Sequence, residues 1–371
     1  MKVAYVCHHD RYNYEYTWFS SLPVETVRFI TTDDKAQSDK PNVEYRVVEY
    51  EEKGLENRFF ASTAKRVFYK NFEKDLQDID VVVVLEVFSS LSRQFVEYCK
   101  KIGKPVAVLV YELIPTHPIY KIPRYRGNTK YVLRNADHFI CVSQAAADHL
   151  VKLGAPTDKL SVVYPGFNLG IFTPDRTNRP TQSLMFVGKL EVHKGIDMLI
   201  DVYRRLAPDF PDLPLTIIGK GSWQPQVEAL ARDFPAVEFH DFVPNSDIPQ
   251  YLNQRSIYLL PARDTKRLGQ RIGAEQVGFT LIEAMACGLA AITTTCGALP
   301  EIAGSENIVI PQGSTEALYT ATRGLLQDAD RIQKMGLFNQ QQVTERFDMK
   351  QQSQKLADIL SALQVKKDVS A

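Results

Sequence analysis

The chain has 371 residues, with 44 Lys+Arg against 44 Asp+Glu and 44% hydrophobic residues. At roughly 100–200 residues per domain, that length predicts about two domains with ordinary packed cores. A formal charge of zero argues against a nucleic-acid binder, and the composition excludes a disordered chain, a collagen and a small disulfide scaffold.

The densest apolar run, Val81–Leu85, is closed by Glu86, far short of the roughly 20 residues a bilayer span needs. Met1-Lys2 carries a charge, but the apolar stretch ends at Cys7 and meets His8-His9-Asp10, so no signal peptide is expected. The cysteines (Cys7, Cys99, Cys141, Cys287, Cys296) are odd in number, lack short paired spacing and mostly lie in apolar stretches. Buried free thiols in a reducing compartment are expected, which makes the predicted location cytoplasmic.

In chain order, β-branched runs alternate with amphipathic stretches, the pattern of parallel α/β layers. Strands are predicted over Val3–Cys7, Val81–Leu85, Val106–Val110, Phe139–Val142 and Ser161–Tyr164. A Pro/Gly cluster, Tyr164–Asn168, then opens a polar segment that reads as a linker. Beyond it strands are predicted over Leu184–Val187, Leu215–Ile218, Val237–Phe239, Ile257–Leu260, Ala290–Thr294 and Ile308–Ile310. Helices are predicted over Ile196–Leu206, Gln224–Ala231, Phe279–Ala286, Glu316–Leu326 and Met349–Leu363. The strands lack polar alternation, as expected where helices cover both faces. The expected architecture is two facing Rossmann-like domains with a ligand cleft at the carboxyl ends of their strands.

The segment Glu275–Gly288 carries the most chemistry. Gly278 lets backbone approach a ligand closely, and the amides of Phe279 and Thr280 then open a helix N-terminus suited to an anion such as diphosphate. Glu283, further along that helix, can accept hydrogen bonds from a ribose diol, and Glu275 precedes the turn, where it faces sugar hydroxyls. The competing reading is a pair of solvated glutamates complementing a helix dipole. Upstream, Phe186-Val187-Gly188-Lys189 runs on to Lys194-Gly195 just before a helical pattern: strand, glycine turn and two cations, an anion cradle rather than two surface lysines. Gly219 and Gly221 end another strand, leaving room for a base or ribose or forming only a tight turn.

These pieces resemble, in order and spacing, the C-terminal domain of retaining glycosyltransferases of the GT-B fold, family GT4. The likeness runs from Val187–Gly195 through Gly219–Gly221, Phe242-Val243 and Leu260-Pro261 to Glu275–Glu283 and Gly297–Glu301. In the first half Ala136–Ser143 and Val163–Asn168 are similar to the family's helix-to-strand passage and linker, and Phe347-Asp348-Met349 to the crossing of its last helix. The resemblance implies an acceptor-binding domain over residues 1–168, a nucleotide-sugar-binding domain over 169–345, and a returning helix and tail over 346–371. It implies that Lys189 (where the family usually has Arg) and Lys194 grip the donor diphosphate. Glu275 would hold the transferred sugar and Glu283 the ribose, with backbone amides at Gly278, Phe279 and Thr280. A lysine at 189 keeps the charge but loses the planar fork.

The first half departs from the family pattern. His8 and His9 stand where a glycine-rich loop is common, and Tyr111-Glu112 where a His-Asp pair is common, with His117 nearby. His8, His9, Glu112 and His117 are the candidate acceptor-side residues. Asp78-Ile79-Asp80 matches a metal-holding DxD, but it precedes its strand and so belongs at the wrong end of a sheet; no metal and no cofactor are expected. Between Lys121 and Arg134 cations interleave with Tyr120, Tyr125 and Tyr131, suiting a solvated face, an acidic acceptor or an anionic membrane surface.

The expected activity is transfer of a sugar, with retention, from a nucleotide diphosphate sugar (UDP favoured over GDP) to an acceptor hydroxyl in polysaccharide, glycolipid or glycoconjugate synthesis. The alternatives are a nucleotide-sugar 2-epimerase of the same architecture and a non-catalytic sugar-nucleotide-binding subunit. The first would convert donor with no acceptor present, and the second would bind nucleotide without turnover.

Overall fold

A computed structural model describes residues 1–7, 12–33, 38, 40–52, 67–175 and 179–368. The chain divides into two compact units, Met1–Phe167 with Met349–Ala371, and Asn168–Asp348.

The first unit runs β1 (Lys2–Val6), α1 (Tyr12–Phe19), β2 (Thr26–Thr31), β3 (Val43–Val47), β4 (Tyr50–Glu52), β5 (Val67–Tyr69) and β6 (Val81–Leu85). It continues with α2 (Ser90–Lys101), β7 (Val106–Val110), α3 (Pro123–Asn135), β8 (His138–Cys141), α4 (Gln144–Lys152) and β9 (Leu160–Val162). Its sheet has the order β3-β2-β1-β6-β7-β8-β9, all parallel, so the chain reverses its direction of travel beside β1. The apolar runs occupy the centre: Val81–Val84 and Val106–Val110 are fully buried, as strands covered on both faces must be. Ser89 and Ser143 cap α2 and α4 by accepting from Leu91 N (3.2 Å) and Ala146 N (3.2 Å), each cap contributing about 1 kcal/mol.

β2 and β3 were not predicted. Arg28 interrupts the apolar pattern of β2, yet it is buried. Its guanidinium donates to Glu44 on β3 (2.8 Å) and to Asp78 (2.5 and 3.1 Å), and this pairing holds the Asp78 carboxyl far below the usual carboxylate range. Asp80 accepts from Lys2 N at 2.7 Å. The DxD carboxylates therefore sit at the amino edge of the sheet and tie β1, β2 and β6 together.

The second unit runs β10 (Leu184–Val187), α5 (Ile196–Leu206), β11 (Leu215–Ile218), α6 (Gln224–Asp233), β12 (Val237–His240), α7 (Ile248–Asn253) and β13 (Ile257–Leu260). A hairpin follows, β14 (Thr265–Arg267) and β15 (Gln270–Gly273), then α8 (Phe279–Ala286), β16 (Ala290–Thr294), α9 (Leu299–Ala303), β17 (Ile308–Ile310), α10 (Thr315–Leu326) and α11 (Ala329–Phe347). Its parallel sheet has the order β12-β11-β10-β13-β16-β17. The chain moves outward from β10 to β12, then restarts at β13 on the other side of β10, which makes the β10/β13 junction the topological switch point.

The last helix, α12 (Met349–Asp368), belongs to the first unit and packs on α1 and β6. Gly166 admits it: a Cβ there would lie 2.8 Å from Met349 Cα, and Met349 N donates to Phe167 O at 3.0 Å. Among the described residues no helix is long and apolar enough to cross a membrane, and the five cysteines are buried.

Candidate active site

In the second unit, three loops leave the carboxyl edge of the sheet around the switch point. The first leaves β10 at Gly188, whose N–H donates to Ile218 O at 3.0 Å, and Leu190 N donates to Lys220 O at 2.9 Å. These bonds hold it against the loop that leaves β11. The approach is so close that a Cβ on Gly219 would lie 1.8 Å from Gly188 O, and one on Gly221 2.4 Å from Leu190 O. The two glycines thus bring the loops together, a packing role beyond the ligand space or tight turn that the sequence suggests. Glu191 fastens the same seam, accepting from Ser222 N (2.9 Å) and Oγ (2.7 Å). Those bonds lower its pKa.

Lys189 is exposed at this edge, while Lys194 is half-buried at the end of a single 3-10 turn, Val192–Lys194. Gly195 then takes a left-handed conformation, φ 77°, and starts α5. The Lys194 ammonium forms an ion pair with the Glu275 carboxylate. Phosphate-side and sugar-side candidates, 81 positions apart, are therefore brought together. His193 lies beside them with its pKa lowered by burial and by the Lys194 charge, which keeps its ring neutral near pH 7.

Glu275 is held from the other direction too. Its carbonyl accepts from Ala298 N at 2.8 Å, and Gly297 passes so near that a Cβ would fall 2.0 Å from that oxygen. Gly278, φ 73°, caps α8 in the left-handed conformation, so the first-turn amides of Phe279 and Thr280 point out of the helix start. The Thr280 hydroxyl is fixed by the buried Tyr258, whose OH donates to Thr280 Oγ1 (2.7 Å) and also lies 3.1 Å from Val187 O. Burial raises the Tyr258 pKa, so the phenol stays protonated. Glu283 is only 2% exposed, one turn into α8.

Three contributors are not singled out by the sequence. Tyr258 sits inside a predicted strand, where a phenol reads as core. Glu191 lies inside the Val187–Gly195 stretch, but only the lysines and glycines there point to a ligand. Arg263 donates to Asp197 at 2.5 Å, and its N–H donates to His193 O (2.9 Å), buttressing the 3-10 turn from β13. The hairpin before Glu275 was missed as well, its short strands being polar and exposed.

The first unit has its own cluster at the carboxyl edge. Glu86, the residue that closes the densest apolar run, is buried with φ 68°, and its Oε1 accepts from Tyr111 N (2.9 Å) and Glu112 N (3.0 Å). Glu112 Oε1 accepts from Leu113 N (2.9 Å) and Ile114 N (2.7 Å), and His117 Nδ1 accepts from Ile119 N (3.1 Å). Glu112 and His117 therefore both order the loop after β7. Beneath them Tyr120 OH meets His149 Nε2 at 3.0 Å. His149 is 1% exposed and its pKa is lowered to about 4, first by burial and then by the His117 and Lys152 charges. His8 and His9 lie outside the described residues.

The basic stretch from Tyr120 to Arg134, a 3-10 turn followed by α3, separates by chemistry. Lys121, Arg126, Lys130 and Arg134 face solvent. Tyr125 is buried, Tyr120 is on His149, and Tyr131 lies under the Arg93 guanidinium at 4.9 Å. These four cations are on the surface, Arg124 is partly buried over the Tyr125 ring, and the aromatics expected among them point inward. Among the described residues no group of three or more His, Cys, Asp or Glu is arranged to hold a metal.

Two parallel-sheet Rossmann-like units are the architecture of GT-B transferases, and solved structures of that class align along the whole chain. Anabaena Alr3699/HepE, solved in complex with UDP, has a TM-score of 0.75 at 14% identity, covering 98% of this chain and 100% of that one. Sucrose-phosphate synthase from Thermosynechococcus elongatus has a TM-score of 0.73 at 15% identity, covering 98% and 99%. The profile "Glycosyltransferase Family 4" matches residues 25–170, and "Glycosyl transferases group 1" matches residues 181–328. The chain belongs to glycosyltransferase family 4, the group 1 transferases.

Among curated relatives, the GDP-mannose-dependent alpha-(1-6)-phosphatidylinositol monomannoside mannosyltransferase of Mycolicibacterium smegmatis is 24% identical over 255 residues, spanning 65% of this chain and 66% of that protein. The putative colanic acid biosynthesis glycosyltransferase WcaL of Escherichia coli is 25% identical over 247 residues, spanning 64% and 60%. The chain thus matches under two thirds of the length of these relatives.

Proposed function

We propose that the chain transfers a sugar, with retention, from a nucleotide diphosphate sugar to an acceptor hydroxyl in polysaccharide, glycolipid or glycoconjugate synthesis on the cytoplasmic side. The observation that carries this is the ion pair of Lys194 with Glu275 on loops at the carboxyl edge of the second unit's sheet, the Glu275 loop leading into the α8 N-terminus, with Lys189 exposed on the loop that carries Lys194. In this reading the Lys189 and Lys194 ammonium groups and the α8 amides hold the diphosphate, and Glu275 holds the sugar hydroxyls next to it. Glu283 is assigned the ribose. The first unit is assigned the acceptor, with Glu112 and His117 on its carboxyl edge and His8 and His9 in the same role.

Retention is what the resemblance to retaining family 4 transferases implies, and the state of Glu275 bears only on how it is achieved. A retaining glycosidase uses one carboxylate as a nucleophile, and a carboxylate already paired to Lys194 is a poor one. The reading is a same-face reaction: Lys189, Lys194 and the amides stabilise the departing diphosphate as the acceptor oxygen attacks from the side it leaves. Preorganised charge of this kind is typically the largest catalytic contribution, roughly a hundredfold to a thousandfold per donor removed. Because protein cations meet the diphosphate, we propose metal-independent transfer; activity lost to EDTA and restored by manganese would contradict this.

UDP is favoured as the nucleotide because one structural neighbour, Anabaena Alr3699/HepE, was solved with UDP and with UDP-glucose, although a relative is named for GDP-mannose. A thermal-shift panel of UDP-, GDP- and ADP-sugars decides it, since a ligand that binds the folded state raises Tm by mass action. UDP-sugars should give the largest rise. A larger rise with GDP-sugars overturns the base, and no rise with any overturns the donor site. The exposed cations of α3 are proposed to rest on an anionic membrane surface, each contributing about 1 kcal/mol at low salt.

A further inference from the structure

The β14–β15 hairpin projects from the chain between β13 and Glu275. Arg267 pairs with Gln270, so its turn is the two residues Leu268 and Gly269. Both have positive φ, 49° and 74°, the signature of a type I′ turn. Asn, Asp and Gly fit the first position of such a turn, whereas a leucine there is strained. Nor does packing account for the residue. Leu268 is 96% exposed, the highest value for any large apolar side chain among the described residues. Leucine at this tip is unfavourable both for the backbone and for burial.

Charge distinguishes the hairpin further. Thr265–Gly273 contains Lys266, Arg267 and Arg271 and no acid, in a chain whose net charge is zero. Arg271 turns inward to Asp264 at 2.8 Å, and Asp264 is gripped by Gln312 Nε2 at 3.1 Å and donates its own N–H to Gln312 Oε1 at 2.7 Å. These contacts pin the root. Lys266, Arg267 and Leu268 face solvent at the tip.

We propose that this tip is a membrane contact: Leu268 enters the interfacial layer of an anionic bilayer while Lys266 and Arg267 sit on lipid phosphates. One apolar side chain between cations is too little for a protein interface, which needs about 800 Å² from each partner. It suits a bilayer interface, where apolar burial and attraction to anionic lipid add. The contact is weak and reversible, and the hairpin that makes it ends two positions before Glu275 in the sequence. It extends the reading of the protein as peripheral to a membrane but uses residues distinct from α3, so either contact can fail without the other.

The test is co-sedimentation of the full chain with vesicles of equal phosphatidylglycerol and phosphatidylcholine, against pure phosphatidylcholine. Leu268→Asn places a turn-compatible residue at the tip, so it should keep or raise Tm while lowering the partition coefficient roughly tenfold. Lys266→Gln with Arg267→Gln should lower it roughly thirtyfold. The Leu268→Trp variant should show a blue-shifted emission on the mixed vesicles. The proposal is overturned if the wild type does not bind them, if it binds pure phosphatidylcholine equally, or if Leu268→Asn binds as wild type. It is overturned equally if the emission of the bound Leu268→Trp variant stays unshifted. If only Arg126→Gln, Lys130→Gln and Arg134→Gln together weaken binding, the α3 contact stands and the hairpin contact is overturned. A Tm rise with UDP-glucose that persists in Leu268→Asn keeps the donor reading separate from either result.

Discussion

Lys194 and Glu275 come from different loops and meet through an ion pair that leaves both half-buried or more. In the proposed reaction the ammonium would gain a second anion from the donor diphosphate, whose negative charge would grow as the glycosidic bond breaks. An interaction that strengthens in the transition state appears in kcat more than in KM. Lys194→Ala should therefore lower kcat roughly a hundredfold with a smaller change in KM. Lys189→Arg keeps its charge in an exposed position and should retain much of the activity. Steady-state kinetics on the two variants check both. A different residue test concerns His149. Its folded pKa of about 4 lies below the ordinary value of 6.5, so the unfolded chain binds the proton more readily in between. Its contribution to stability is full above pH 6.5 and is lost as pH falls toward 4, about 2 kcal/mol between pH 6.5 and pH 5. Melting curves at pH 7.5 and pH 5 should show a smaller acid loss for His149→Gln than for wild type. Lys194 and Glu275, which the fold brings into an ion pair, and the glycines at which the loops approach or α8 begins were legible in the sequence, because such residue types stand out at strand ends. Tyr258, Glu191 and Arg263 were not, because their roles come from partners distant in sequence.

At the scale of elements, the site depends on loops that approach more closely than a side chain allows. Gly219 shows this most sharply: its φ of 150° and the 1.8 Å from a built Cβ to Gly188 O mean that Gly219→Ala must push the β10 and β11 loops apart. Strain at such a backbone position costs of order 1–3 kcal/mol before any clash with backbone is counted. Denaturant unfolding should show a loss of at least about 2 kcal/mol, with nucleotide binding weakened beyond what stability explains. Legibility at this scale followed burial. The predicted strands Val81–Leu85, Val106–Val110 and Leu215–Ile218 coincide with the observed β6, β7 and β11, because continuous apolar runs admit few other structures. β2 was hidden by Arg28, whose charge is satisfied by Glu44 and Asp78 only after the chain has folded. β3 was hidden by the polar alternation of an edge strand, and the β14–β15 hairpin by a turn that carries leucine where asparagine is expected.

For the whole molecule, the claim is that the second unit presents a nucleotide-sugar site whose two glutamates divide the ligand between them. Glu283 is deeply buried and assigned to the ribose, which free nucleotide and nucleotide sugar share. Glu275 is paired with Lys194 and assigned to the sugar, which free nucleotide lacks. The matched stretches of family 4 and group 1 place both glutamates in the group 1 portion, yet the division of labour rests on position along the Glu275–Glu283 segment. Titration calorimetry of UDP and UDP-glucose against wild type, Glu283→Gln and Glu275→Ala tests it directly. Glu283→Gln should weaken both ligands by a similar factor. Glu275→Ala should leave UDP within about twofold of wild type and weaken UDP-glucose roughly tenfold or more. Equal losses of UDP affinity in the two variants would contradict the account.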